Sequence, residues 1–157
     1  MLLFASLFLL LNCHFSKGVK KDLGTGLSAS YNGFAIEDVY LTSGPDDTRL
    51  SNNKVTLGDK ISIVLTGVDN YAEQNGKVFP GCTIILKDKT GKEILNLPNA
   101  FASLTAGQPK AEASTLKAIL TTGDPMVAGE TYHLEARFFD LHQKENTVMT
   151  NVNILMQ

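Results

Sequence analysis

From residue 27 onward, apolar and polar side chains alternate with a period of two, in short segments separated by Gly, Pro, Asn and Asp. A strand points successive side chains to opposite faces, so this period predicts half-buried β-strands. The clearest run is 131–140, where Tyr132, Leu134, Ala136 and Phe138 fall on one face and His133, Glu135 and Arg137 on the other. Residues 60–66 bring Ile61, Ile63 and Leu65 together; 147–156 do the same for Val148, Val152, Ile154 and Met156, with Thr150 among them. Ile84 and Leu86 lead into Asp88, Lys89, Thr90, Gly91 and Lys92, after which Ile94, Leu95 and Leu97 resume the apolar pattern. Gly91 offers the positive φ that a tight reversal needs, so 84–97 predicts a β-hairpin.

Further strands are expected at 27–31, at 34–41, around Val55 and Leu57, and at 116–121. Turns are marked by Gly44 with Pro45, Asn75 with Gly76, and Asp124 with Pro125. Only 99–104 and 109–114 have helical character, and each is short enough to be a loop turn. Seven to nine strands at this spacing, with no sustained amphipathic helix between them, predict an all-β antiparallel sandwich rather than a βαβ sheet. The pattern over 27–156 resembles that of an immunoglobulin-like domain. The Cys, Trp, Cys signature of antibody domains is missing, because the chain has no Trp.

The first thirteen residues, MLLFASLFLLLNC, follow a different rule. The apolar run 2–11 has the length of a signal-peptide core and is half of the roughly 20 residues needed to span a bilayer. It predicts an export signal. Leu10, Leu11, Asn12 and Cys13 resemble the lipobox of bacterial, Bacteroidota-like lipoproteins, although Asn12 stands where Gly, Ala or Ser is usual and no Lys or Arg precedes the run. The resemblance implies removal of 1–12, lipidation (including palmitate) of Cys13, and anchoring in the cell outer membrane, since His14 is not the acid that marks inner-membrane retention. Ser16 and Gly18 offer the alternative of an ordinary cleavage site and a secreted protein. Residues 13–26, aperiodic and glycine-containing, are expected to be the lipidated Cys and a flexible tether, leaving 27–157 as the sandwich domain.

The formal net charge of −2, with no long run of either sign, argues against a nucleic-acid partner. Lys17, Lys20 and Lys21 form the densest basic cluster and fall in the expected tether. With Cys13 consumed by lipid, Cys82 stands alone and reads as a small buried hydrophobe.

No catalytic triad, phosphate loop or metal-ligand motif occurs at its required spacing. The loop acids Asp69, Glu73 and Asp140 are the candidates for a Ca²⁺ site, the sole cofactor considered, although acids in turns more commonly serve the turn itself. Tyr71, Phe79 and Phe101 are candidates for a ligand-stacking platform; the same rings would otherwise plug the open end of the sandwich. His133 and Glu135 share a strand face and are either a metal pair or a solvated surface. The expected function is non-enzymatic: a membrane-tethered envelope lipoprotein that binds a protein or glycan partner. The alternatives are an envelope hydrolase using those loop carboxylates and a structural component of a lipoprotein assembly.

Overall fold

The computed structural model describes residues 16–157, so Cys13 and the apolar run before it lie outside the described residues. The described chain forms eleven strands: β1 (Ser16–Lys21), β2 (Ser28–Gly33), β3 (Asp38–Ser43), β4 (Thr48–Arg49), β5 (Lys54–Val55), β6 (Lys60–Thr66), β7 (Pro80–Lys87), β8 (Glu93–Leu97), β9 (Thr115–Thr121), β10 (Thr131–Asp140) and β11 (Thr147–Met156). The two pieces with helical character shrink to single 3₁₀ turns, Ala102–Leu104 and Glu112–Ser114.

Two sheets result. One has the order β1-β2-β11-β10-β7-β8, with β5 parallel to the end of β11 at Leu155 and Met156; the other has the order β4-β3-β6-β9. Every other pairing is antiparallel. The chain is therefore the all-β sandwich that the alternating pattern predicts. Strands β6, β10 and β11 begin and end where the periodicity does.

The inward faces supply one buried cluster, including Ile61, Ile63 and Leu65 of β6, Leu134 and Phe138 of β10, and Val148 and Ile154 of β11. Cys82 is part of it, and burial pushes its thiol up to about 12, leaving it protonated and inert at neutral pH. Strand β6 is covered on both sides, since Ser62 and Val64 are also buried. The turn after β3 accounts for this: its Asp47 reaches over β6 to bond Lys117 of β9 at 3.0 Å and Lys60 at 3.3 Å.

The expected flexible tether is corrected by β1. Residues 16–21 pair with β2 in full register, from Ser16 opposite Gly33 to Lys21 opposite Ser28. The connecting turn is closed locally. The Asp22 N–H donates to the Leu27 carbonyl at 2.8 Å, and the Asp22 carboxylate accepts the Gly24 N–H at 3.0 Å. Gly18 is what lets β1 lie flat, because the Tyr31 ring sits across it, with the phenol carbon 2.7 Å from where a Cβ would stand.

Candidate functional site

The end of the sandwich where β1, β7 and β11 begin and β2 and β10 finish carries the three acids Asp69, Glu73 and Asp140 and the three rings Tyr71, Phe79 and Phe101. Asp140 is the last residue of β10 and falls on its buried face, 3% exposed. One carboxylate oxygen accepts the Ala72 N–H at 2.8 Å and the other the His142 N–H at 2.9 Å. Asn146, also buried, donates to the Asn70 carbonyl at 2.6 Å and to Asp140 at 3.4 Å. Asn70 in turn donates to the Gly33 carbonyl at 3.1 Å. Gly33 has φ +73 and is covered by the Asn146 side chain, a combination that only glycine accommodates. Asp140 thus fastens two loops to the core through charge-assisted bonds.

Asp69 and Glu73 turn outward and share one cation, Lys110, at 2.8 and 3.6 Å. The Lys110 ammonium, followed by the Asn70 N–H, holds the Asp69 carboxyl below its ordinary range. These three acids do not converge as a calcium set. Among the described residues no group of three or more His, Cys, Asp or Glu side chains is placed to hold a metal ion. The physical reason is that each carboxylate already has donors: backbone amides for Asp140, an ammonium for Asp69 and Glu73.

The three aromatic rings likewise form no common stack. Tyr71 is 8% exposed, donates its hydroxyl to the Ala113 carbonyl at 2.9 Å, and meets Phe34 edge-on at 4.8 Å. Burial, then the charges of Asp140 and Asp69, raise its phenol well above the tyrosine range. Phe79 is half-buried across Gly107 and meets the His142 ring edge-on at 4.5 Å. Phe101 leans on the core beside Phe138. The rings plug the end of the sandwich.

On the outer face of the larger sheet, Glu135 bonds Lys87 at 2.7 Å and His133 at 3.2 Å, and the other nitrogen of His133 faces the Asn153 side-chain oxygen at 2.8 Å. The Lys87 ammonium, itself held protonated by Glu135, sits against the carboxylate that a metal would need. Sequence alternation identifies the His133 and Glu135 pair. It does not reveal Lys87, which comes from the neighbouring strand.

The feature missed most completely from the sequence is the outer edge of β1. The bond from Asp22 to Leu27 sets the phase of the ladder, so Ser16, Gly18 and Lys20 turn their backbone groups to β2. Lys17, Val19 and Lys21 turn theirs outward, and their side chains are the exposed ones of the strand. Behind that edge, Val19 and Met149 flank Ser30 on the outer face and line a shallow, mostly apolar groove, with Val19 64% and Met149 42% exposed.

No protein-family model matches the chain, and no curated protein matches it significantly. Among the described residues no helix is long and apolar enough to cross a membrane.

Proposed function

We propose that the protein is a non-enzymatic, immunoglobulin-like binding module held at the cell envelope by lipid on Cys13, with a protein or glycan as partner. The observation that carries the binding reading is the use made of the loop chemistry: the acids and rings are spent on fastening loops, while a strand edge keeps backbone donors and acceptors that no described residue pairs. The immunoglobulin-like reading is supported by strand order. Lettered along the chain, β3-β6-β9 corresponds to A-B-E, and β5-β11-β10-β7-β8 to A′-G-F-C-C′, with the β1-β2 hairpin as an addition. Support for the anchor is the apolar run that ends at Cys13. Ser16 follows Cys13 by three residues, which reach at most about 11 Å, so β1 would stand close to the bilayer surface.

The test is intact mass and membrane fractionation of the protein expressed in its own host, beside Cys13→Ala. Acylated Cys13 in the wild type and loss of membrane association in the variant are expected. An unmodified chain cut near Gly18 would overturn the anchor and would cut into β1.

A further inference from the structure

We infer that the edge of β1 that no described residue covers is the docking site of this module, and that its occupant is an extended acidic segment of another protein, added as a further strand. The inference rests on the binding reading above and gives it a place and a partner chemistry.

An edge strand offers unpaired N–H and C=O groups, and an extended peptide can satisfy them. On β1 those groups belong to Lys17, Val19 and Lys21, spaced two apart with their side chains on one face. Among the described residues Lys17, Lys20 and Lys21 make no ion pair, and the nearest acid in sequence, Asp22, is engaged with the Gly24 amide. Three ammonium groups within five residues, none ion-paired among the described residues, outnumber the adjacent Asp22, and Asp38 beside Lys20 and Lys21 is held by Arg49, so the edge is complementary to acid.

The register dictates the ligand. Opposite Val19 a guest strand presents a side chain against Val19, which is 64% exposed on the outer face that it shares with Ser30 and Met149. Two residues away on either side, its side chains fall opposite Lys17 and Lys21. The recognised pattern is therefore acid, any residue, apolar residue, any residue, acid. It is symmetric and so works in either strand direction.

A second copy of this chain is the wrong occupant. Pairing β1 with itself about Val19 sets Lys17 opposite Lys21 twice, and like charges directly opposite are unfavourable. The other edges compete poorly for acid. Strand β4 has two residues, β8 pairs through a bulge at Leu86 and Lys87 and carries Glu93, and the one lysine of β9, Lys117, is bound to Asp47.

The experiment uses the chain purified from its host, in phosphatidylcholine nanodiscs if it carries lipid, with the peptide TETVTET as probe. Hydrogen exchange should slow at the amides of Lys17, Val19 and Lys21, while Gly18 and Lys20, already paired, change little. Lys17→Glu with Lys21→Glu should weaken TETVTET by about tenfold and transfer the preference to TKTVTKT, a gain that a misfolded variant would not show. No protection at about 1 mM peptide, or equal binding of both peptides by the wild type, overturns the inference. So does protection that appears only when phosphatidylglycerol is added to the bilayer, since the lysines would then serve a lipid surface, and so does protection that rises with protein concentration alone. Acylation of Cys13 is read separately by mass, so failure of the docking site and failure of the anchor are distinct results.

Discussion

Among the described residues, strands β1 and β9 are free edges of opposite sheets, and they are protected in opposite ways. In β9 the Thr122 N–H bonds the Asp59 carbonyl at 2.9 Å, which sets Thr115, Lys117, Ile119 and Thr121 outward. Ile119 is 47% exposed there, and Lys117 is ion-paired with Asp47, which it shares with Lys60. In β1 the outward residues are two lysines flanking Val19, with no acid bonded to either among the described residues. A lysine on an edge discourages pairing with a like strand only while its charge is uncompensated. Edge β1 is therefore closed to copies and open to acid, whereas β9 has given up its guard to cover the outer face of its own sheet.

The largest expected effect comes from removing one of the two edges. Gly18→Val would put a branched side chain where the Tyr31 ring lies, and neither the ring nor the strand can stay in place. Overpacking of this kind costs about 2 kcal/mol. The thermal midpoint should fall, and amides of β1 should exchange freely while those of β9 keep their protection. Retention of β1 protection would show that Tyr31 rotates aside and that glycine is not what holds the edge.

That dependence on Tyr31 also explains what the sequence hid. Strand β10 was legible because its alternation is a local property, and the same alternation carried one step further puts Asp140 on the core face with Tyr132, Leu134, Ala136 and Phe138. The signal that Asp140 fastens loops was therefore present in the sequence. Tyr71 had no such signal. Its neighbours Asn70, Ala72 and Glu73 suggest a surface loop, and only the approach of Phe34 and the Ala113 carbonyl buries it. Strand β1, with three lysines and a glycine in six residues, has no apolar period, so its strand character comes entirely from pairing with β2. Local pattern thus fixed the sandwich, while contacts distant in sequence decided the fate of the loop acids and rings.

A smaller effect tests whether the guard is charge. Lys17→Thr with Lys21→Thr removes the two lysine-on-lysine contacts of a self-paired β1, which is worth about 1 kcal/mol in favour of association. Ile119→Lys should do the reverse on β9. Sedimentation at rising concentration should show the first variant associating more than wild type and the second less. Equal behaviour of both would mean that neither edge is available to a copy, and the contrast drawn from their charges would fail.

The smallest effect separates the two roles of Lys117. Its bond to Asp47, and after it the bond from Lys60, holds the Asp47 carboxyl below its ordinary range. A carboxyl lowered in the folded state contributes stability above its unfolded pKa of about 3.9, and that contribution disappears as pH falls through the folded value. Asp47→Asn should therefore be slightly less stable than wild type at neutral pH, and the gap should close in acid, which urea unfolding at several pH values can follow. The same substitution releases Lys117 to guard β9, so self-association through that edge should fall at neutral pH even as stability falls. A stability gap independent of pH would assign Asp47 a packing role, and the difference between the two edges would then rest on Ile119 and Val19 rather than on whether a lysine is paired.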